Sequence, residues 1–384
     1  MAGGDGLTLP RLVISDGLGV PRSAPAALLA GHATVVGWMP VPPAWTAGLD
    51  QALALMGGAG ARGLVQAGRM RCLPIRYSAL PRALAGSLRP SVAVVGARPD
   101  GRGFRFGLEA GYGSLAARFA ERVVIEVDHS LPVVADAPLV EARDFEVVEA
   151  TEPAPDFIAA SVDPIDEAIG AQMAAHVPAG ATVQYGPGAI GDSAIRALAV
   201  AVHVHSGLIT DAVADLAERG LLLDPATTAY LFGGKPLREL AGAGLVRLRG
   251  VEDTHSAARL AGLERFVSLN TALSVGLDGA VNVERVRGEQ VGGIGGHPDF
   301  CAAASASPGG LSIIGLRSSR AGRSNIVPEA APVTTPRSDV DLVVTERGVA
   351  DLRGLDDRGR AAALIAVADP AFREELEMKV STHA

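Results

Sequence analysis

Short apolar runs alternate along the chain with amphipathic segments of helical length, which is the pattern of α/β architecture. The apolar runs predict strands at Arg11–Ser15, Thr34–Gly37, Val92–Val95, Val123–Val127, Thr182–Tyr185, Val202–His205, Phe266–Leu269, Ser312–Leu316 and Leu342–Thr345. The amphipathic segments predict helices that include Ala24–Ala30, Gly113–Phe119, Pro164–His176, Ser193–Ala199, Asp211–Glu218, Leu237–Ala241, Gly359–Val367 and Phe372–Val380. The order of these elements predicts an α/β fold with open sheets.

One segment separates two series of strands and helices. Glu149–Pro164 is rich in proline, alanine and acidic residues, which is typical of a linker. A chain of 384 residues exceeds one ordinary core and suits two domains. We therefore predict one domain over residues 1–150 and a second over residues 151–384.

Composition narrows the range of partners. The chain is 48% hydrophobic and 20% charged, with a formal net charge of -8 and 4% aromatic residues, so a basic surface for nucleic acid is not expected. No apolar run reaches the roughly 18 residues of a membrane span, and the first residues lack the pattern of a secretion signal. We expect no membrane partner and a cytoplasmic location. Cys72 and Cys301 have no metal-binding spacing, so no metal site is predicted.

A glycine-rich turn follows the strand predicted at Thr182–Tyr185. Gly186, Gly188 and Gly191 form a G-x-G-x-x-G pattern, and Asp211 lies further along the chain, as in a dinucleotide-binding unit. That acid should end the next strand, whereas Asp211 is predicted to begin a helix. The same turn could aim backbone N–H groups at an oxyanion, or could be a tight turn without a ligand.

A second glycine cluster, Gly292–Phe300, reads GGIGGHPDF and lets backbone approach a ligand closely. His297 within it is either a surface histidine or an acid/base group, since its ordinary pKa suits proton transfer near neutral pH. His203 and His205 alternate along a predicted strand and share one face. We expect one of them to be structural and the other to face a pocket. Cys301 is expected to be a small core residue.

Several motifs resemble the acetyl-CoA hydrolase/transferase family of class I CoA-transferases. His205–Gly220 resembles H-T-E-M-x-S-D-G-x-x-D-L-x-x-x-G, whose glutamate is the family's nucleophile, and the matching position here is Gly207. Ala181–Ala194 resembles Q-x-G-x-G-x-x-P-D-A-V, and Gly292–Phe300 resembles S-G-x-G-G-Q-x-D-F. Asn270–Asn282 resembles N-S-A-L-E-V-D-L-x-G-x-V-N with both acids replaced, and Thr345–Gly354 resembles T-E-x-G-V-A-D-L-R-G.

The resemblance implies two open α/β domains of the CoA-transferase (NagB/RpiA-like) type. It implies a coenzyme A thioester as substrate, no permanently bound cofactor, a small carboxylate or other acyl acceptor, and a homodimer. Gly186 and Gly188 are then the loop facing the thioester oxygen. The residues expected to contact coenzyme A are Gly293, Gly295, Gly296 and Asn270.

The glycine at position 207 separates the functional hypotheses, because it can be neither nucleophile nor base. The first is an acyl-CoA hydrolase or transferase that works without the glutamyl-CoA intermediate, with His297 or His205 in the catalytic site. The second is an inactive coenzyme A-binding member that acts as a regulator or partner subunit. The third is ordinary CoA transfer by a displaced carboxylate, for which the candidates are Asp211, Asp299 and Glu346.

Overall fold

The structure is a computed structural model that describes residues 9–37, 43–49, 52–58, 60–157, 159 and 161–381. The strands are β1 (Arg11–Ile14), β2 (Ala33–Val36), β3 (Ala52–Ala54), β4 (Met70–Cys72), β5 (Val92–Asp100), β6 (Gly103–Arg105), β7 (Arg122–Val127), β8 (Phe145–Glu149), β9 (Thr182–Tyr185), β10 (His203–Thr210), β11 (Ala226–Phe232), β12 (Val246–Leu248), β13 (Phe266–Thr271), β14 (Ser274–Gly276), β15 (Val281–Asn282), β16 (Arg285–Val286), β17 (Glu289–Gln290), β18 (Leu311–Gly315), β19 (Ser319–Arg320), β20 (Arg323–Ser324), β21 (Ile326–Val327), β22 (Leu342–Thr345) and β23 (Gly348–Asp351). The α-helices are α1 (Pro43–Thr46), α2 (Arg62–Gln66), α3 (Leu80–Ala85), α4 (Gly113–Phe119), α5 (Pro164–Ala174), α6 (Ala189–Ala197), α7 (Asp211–Glu218), α8 (Lys235–Gly242), α9 (Val251–Thr254), α10 (Ala257–Leu260), α11 (His297–Ala306), α12 (Asp357–Ala366) and α13 (Arg373–Ser381).

The chain divides into two compact units, each built from several segments. The first unit comprises Met1–Phe157, Thr227–Ser256 and Glu289–Gly295. The second unit comprises Ile158–Ala226, Ala257–Gly288 and Gly296–Ala384. The boundary expected between residues 150 and 151 stays a prediction about independently folding domains.

The first unit contains a parallel sheet in the order β4-β3-β2-β1-β5-β7-β8. Leu12, Val94 and Val124 lie in its strands without solvent exposure, as expected for strands covered on both faces. The chain runs outward from β1 to β4 and then returns to the other side of β1 with β5. This reversal makes the carboxyl ends of β1 and β5 the topological switch point of the sheet.

In the second unit the strands lie in the order β10-β9-β13-β18-β22-β23, and all but β23 are parallel. The chain passes from β9 to β10 on one side and later returns to β13 on the other side. The switch point of these strands therefore lies at the carboxyl ends of β9 and β13. The loops that follow those two strands carry the candidate site.

The predicted α/β class is confirmed, and all of the predicted strands are present. Thr182–Tyr185, Leu342–Thr345, Gly113–Phe119 and Asp211–Glu218 have the predicted bounds. The strand predicted to end at His205 continues to Thr210, so Gly207 lies inside β10. Ala26–Leu29 forms a 3-10 helix where an α-helix was expected.

The longest helix in the described residues has far fewer apolar residues than a bilayer crossing requires, so no membrane-spanning helix is present in that part of the chain.

Candidate active site

The candidate site begins at the turn between β9 and α6, at the switch point of the second unit. Gly188 has φ of 127° and directly precedes α6, a conformation that favours glycine. A side-chain carbon added at Gly191 would lie 1.8 Å from the Gly186 carbonyl oxygen. Glycine at 191 therefore lets the first turn of α6 fold back directly onto the loop.

The loop at Gly186 is fixed to β13 by two amide side chains. Gln184 Nε2 donates to Asn270 Oδ1 at 3.1 Å, and Asn270 Nδ2 donates to Gln184 Oε1 at 3.0 Å. A side-chain carbon at Gly186 would lie 3.2 Å from the same Asn270 Oδ1. The amide pair thus holds the ends of β9 and β13 together below the glycine turn.

A chain of buried contacts leads from Asn270 to His297. Asn270 Nδ2 and His297 Nδ1 each lie 3.6 Å from Cys301 Sγ. His297 Nδ1 also lies 2.7 Å from the hydroxyl oxygen of Thr335. His297 is the first residue of α11 and is partly buried, so the surface alternative for this histidine is wrong, and its acid/base role stays a prediction. The structure therefore brings three of the predicted site residues together: Gly186, Asn270 and His297.

Burial determines the protonation of this cluster. The His297 residue is partly accessible, but its Nε2 atom is buried without a hydrogen bond to the described residues. Burial lowers the pKa of His297 to about 4, against a smaller opposing contribution from the Thr271 backbone. Burial also raises the pKa of the Cys301 thiol to about 11. At neutral pH the pair is a neutral imidazole beside a neutral thiol, and Cys301 is the core residue that was expected.

Gly207 and His205 lie on β10, which is separated from β13 by β9. His205 is 5% exposed, whereas His203 is half-exposed and its Nδ1 lies 2.8 Å from Asp224 Oδ1. The two histidines of the strand therefore differ in environment, and the expectation that one of them faces a pocket stays a prediction. Gly207 is partly exposed.

The sequence did not indicate a buried hydroxyl network that joins β9, β10 and α6. Thr210 Oγ1 donates to Asp192 Oδ1 at 2.7 Å, and Tyr185 Oη accepts from the Thr210 N–H at 2.7 Å. Burial raises the pKa of Asp192. Thr210 also caps α7 by accepting from the Ala212 N–H. A threonine directly before a predicted helix was the available signal, since Ser and Thr are preferred at that position.

The structure changes the role expected for Gly186. Its N–H donates to the Leu269 carbonyl at 2.9 Å, so it has no free donor to offer a thioester oxygen. Pro187 has no N–H. The remaining donors of the turn are those of Gly188 and the first turn of α6, where a helix leaves N–H groups without intrahelical partners. The Gly186 N–H is therefore unavailable, and an oxyanion role stays a prediction for Gly188 and the α6 N-terminus.

The second glycine cluster is divided between the two units. Gly293 and Gly295 belong to the first unit, where added side-chain carbons would lie 2.8 Å and 2.4 Å from Met56 atoms. Gly296 belongs to the second unit and directly precedes α11. The packing of Gly293 and Gly295 on Met56 gives both glycines a structural reason, and their contact with coenzyme A stays a prediction.

Ser274 and Gly276 occupy positions where the family's motif has acidic residues. Ser274 Oγ accepts from Asn282 Nδ2 at 3.2 Å. A side-chain carbon at Gly276 would lie 2.9 Å from the Ala330 backbone nitrogen, so no acidic side chain fits there without a shift. Elsewhere, Glu346 accepts from the Ser318 N–H at 2.9 Å, which gives it a structural role.

Within the described residues no three His, Cys, Asp or Glu side chains are grouped as a metal site would need.

A family profile and a similar sequence both relate this chain to enzymes that act on coenzyme A thioesters. The sequence profile of the acetyl-CoA hydrolase/transferase C-terminal domain matches residues 239–380. The 4-hydroxybutyrate coenzyme A transferase of Clostridium kluyveri is 33% identical over 344 residues, which cover 84% of this chain and 80% of that protein.

Solved structures resemble this chain over almost its whole length. RipA from Yersinia pestis has a TM-score of 0.86 at 25% identity, covering 97% of this chain and 94% of that one. The 4-hydroxybutyrate CoA-transferase from Porphyromonas gingivalis has a TM-score of 0.77 at 25% identity, covering 99% and 95%. These similarities confirm the predicted fold class.

Proposed function

Because the chain belongs to the acetyl-CoA hydrolase/transferase family, we propose that it is an enzyme of acyl-CoA thioesters that works without a covalent glutamyl-CoA intermediate. Its substrate is an acyl-CoA, and either the acyl group passes to water or another acceptor, or the CoA passes to a small carboxylate. The proposal rests on Gly207, which lies inside β10 and, by the resemblance of His205–Gly220 to the family's motif, matches the position of the nucleophile. Glycine cannot form the covalent intermediate.

The site retains the means to bind and polarise a thioester. Gly188 and the N-terminus of α6 offer backbone N–H groups to the carbonyl oxygen, where negative charge develops as the thioester is attacked. Gln184 and Asn270 keep that turn in place. When water attacks the carbonyl carbon, the CoA sulfur leaves as the thiolate and takes up the proton that the water loses. When a carboxylate oxygen attacks, a mixed anhydride and the CoA thiolate form, and the thiolate then attacks the acceptor's carbonyl carbon and releases the original acyl group as a carboxylate.

His297 is the proposed base for attack by water. It can accept a proton on Nε2 only when Nδ1 carries the other hydrogen and donates it to Thr335 Oγ1, 2.7 Å away. Its pKa of about 4 keeps the imidazole neutral at pH 7, which makes it available but weakly basic. His205 stays the second proposed histidine of the site.

The test is mass spectrometry of the protein incubated with acetyl-CoA, butyryl-CoA and succinyl-CoA, with and without acetate, recording free CoA and protein mass together. We expect turnover of the thioester and no covalent adduct on the protein. Acetyl-CoA formed from butyryl-CoA or succinyl-CoA only when acetate is present identifies a transferase, and free CoA formed without acetate identifies a hydrolase. A stable adduct at another carboxylate would contradict the proposal and identify the displaced nucleophile.

Two variants sharpen this test. Gly207→Glu restores the family's carboxylate and is expected to give a CoA adduct that maps to position 207. Gly207→Ala adds a methyl group without a carboxylate and is the matched control, in which no adduct should form. A Gly207→Glu protein that folds yet forms no adduct would show that position 207 does not face the thioester.

The alternative is an inactive coenzyme A-binding member that regulates or accompanies an active enzyme. The environments of Ser274 and Gly276 favour this inactive alternative, because the two acids of the family's motif are absent there as well as at position 207. Coenzyme A binding without CoA release or adduct from any thioester would support this alternative. A homodimer and a cytoplasmic location also stay predictions, and light scattering of the purified protein tests the first.

A further inference from the structure

A short hairpin stands at the edge of the second unit's sheet where the parallel strands end. Its strands are β19 and β20, and the chain enters it four residues after β18 ends at Gly315. Because β9, β13 and β18 are parallel and neighbouring, their carboxyl ends lie at one edge of the sheet. The hairpin therefore starts from the same edge as the glycine turn that follows β9.

The hairpin displays two arginines side by side. Arg320 and Arg323 are directly opposite each other on its two strands, so their side chains share one face. Both residues are exposed, and neither side chain forms a hydrogen bond or an ion pair with the described residues. Like charges directly opposite each other in a strand pair repel. An anion between the two guanidinium groups would remove that repulsion.

The acids at the base of the hairpin are occupied by other groups. Glu346 accepts hydrogen bonds from the Ser318 hydroxyl and from the Ser318 N–H, and its Oε1 lies 3.7 Å from Arg347 Nε. Asp369 Oδ2 accepts from the Ser319 hydroxyl at 2.5 Å. These bonds hold β19 and the residue before it in place, and they leave the two exposed arginines without an acidic partner.

The backbone of the hairpin is fixed as well. Asn325 donates its N–H to the Ser318 carbonyl and its Nδ2 to the Arg317 carbonyl, each at 2.9 Å. The turn itself consists of Ala321 with φ of 50° and Gly322 with φ of 72°. Two left-handed residues form the tight turn that matches the twist of a hairpin, although alanine adopts this conformation at a cost. The surrounding bonds thus keep both arginines on a rigid frame.

The position of the hairpin suits the far end of a long substrate. β18 is two strands away from β9, which is about 10 Å across the sheet. Arg320 is five residues beyond the end of β18, so the chain carries it at most about 17 Å outward. This separation is comparable with the extended pantetheine arm of coenzyme A, which has the thiol at one end and the phosphates at the other.

We propose that Arg320 and Arg323 bind the phosphate groups of coenzyme A while the thioester lies at the glycine turn. This inference rests on the proposed thioester function. Guanidinium groups bind phosphate through two parallel hydrogen bonds, and a phosphate or diphosphate carries enough charge to bridge two of them at an exposed site. The acceptor carboxylate is a poorer match, because it has to react at the thioester carbonyl and not at the hairpin.

The experiment is isothermal titration calorimetry of the full chain with coenzyme A and with 3′-dephospho-coenzyme A, at low and at high NaCl concentration. We expect the double variant Arg320→Gln/Arg323→Gln to bind coenzyme A at least about tenfold more weakly at low salt, the value of one hydrogen bond between charged groups. Salt should weaken binding to the wild type more than binding to the double variant, because exposed charge contacts are screened.

Two further variants serve as controls. Arg358 is also exposed without a partner among the described residues, but it lies at the start of α12, after β23 has returned to the opposite edge of the sheet. Arg358→Gln should therefore bind coenzyme A like the wild type. Arg320→Lys/Arg323→Lys keeps both charges and loses the forked donors, so it should retain the salt dependence with weaker binding.

The dephosphorylated ligand identifies the phosphate that is bound. A loss of affinity in the double glutamine variant for coenzyme A alone supports binding of the 3′-phosphate, and an equal loss for both ligands supports binding of the diphosphate. Unchanged affinity for both ligands in a folded double variant overturns the inference, and turnover of acyl-CoA by that protein then upholds the proposed function. An equal loss in Arg358→Gln also overturns it, because the effect is then one of net charge.

Folding and function are separated in the same way. Thermal unfolding of the double variant establishes that it is folded, and if it is not, the single variants Arg320→Gln and Arg323→Gln replace it. Unchanged coenzyme A affinity in both single variants overturns the inference. A wild-type protein that neither binds coenzyme A nor turns over any thioester overturns the proposed function and this inference together.

Discussion

At the residue scale, the buried imidazole of His297 makes stability depend on pH. Its pKa falls from the ordinary 6.5 to about 4 in the folded state, so the unfolded chain binds the proton first as the pH drops. The contribution of His297 to the free energy of unfolding is therefore fully present above pH 6.5. It decreases as the pH falls from 6.5 to 4, by roughly 3 kcal/mol in the limit of full burial.

We predict that His297→Gln removes this part of the pH dependence in urea unfolding measured from pH 7.5 to 4. His203→Gln is the matched control, because His203 is half-exposed on β10 and outside the cluster, so the slope should persist. An identical slope in the His297→Gln protein and the wild type would show that the ring is hydrated or shares its proton with a group outside this cluster.

Contacts between residues that are far apart in the chain could not be predicted from the sequence. Gly207, Asn270 and His297 were selected by motif, and two of these lie in one cluster. The hydrogen bond from the Gly19 N–H to the buried carboxyl group of Glu109 was not predicted, because the two residues are 90 positions apart and no local pattern marks it. The low pKa of His297 was equally invisible, since it arises from packing and not from neighbours in the chain.

At the element scale, the turn from β9 to α6 depends on Gly191 more than on the other glycines of its motif. We predict that Gly191→Ala destabilises the protein by about 2 kcal/mol or more, because the new methyl group meets the Gly186 carbonyl oxygen at 1.8 Å and must displace the loop. CoA release should fall as well, since the same loop carries the proposed oxyanion donors. Thermal unfolding and initial rates measure the two effects.

The control for Gly191→Ala is Gly242→Ala at the end of α8. No heavy atom lies within 4 Å of a side-chain carbon added at Gly242, so alanine should leave stability unchanged or raise it by up to about 1 kcal/mol. Equal effects of the two substitutions would mean that helix propensity, and not the close approach to Gly186, governs the turn.

Elements with strong local signals were predictable from the sequence, and elements formed by packing were not. The predicted strands have runs of branched apolar residues, and α7 has an alternating apolar face behind Thr210. The strand Ala226–Phe232 was not predicted. All seven of its residues are buried, so it has no alternation of polar and apolar positions, and two threonines and two alanines weaken its apolar run. The helix His297–Ala306 was not predicted, because the glycine cluster that precedes it was interpreted as a loop extending to Phe300. Pro298 in its first turn is a helix-start signal that could have indicated it.

At the scale of the whole molecule, chain order does not follow spatial order. Thr227–Ser256 and Glu289–Gly295 belong to the first unit, although they lie far along the chain from its other residues. Composition marked Glu149–Pro164 as a linker, and the first long segment of the first unit ends within it, at Phe157. Nothing in the local pattern indicates the two later segments, because their membership depends on long-range packing.

The proposed function has a consequence for the stability of the whole protein that does not require turnover. A ligand that binds only the folded state raises the free energy of unfolding by about 1.4 kcal/mol for each tenfold rise in its concentration above Kd. We therefore predict that free coenzyme A raises the unfolding temperature measured by circular dichroism, and that the rise continues with each tenfold step. NAD is the matched control, because it shares the adenosine diphosphate group but lacks the pantetheine arm. The G-x-G-x-x-G turn at Gly186 is common to both interpretations, so an equal or larger shift with NAD would favour dinucleotide binding over the thioester function.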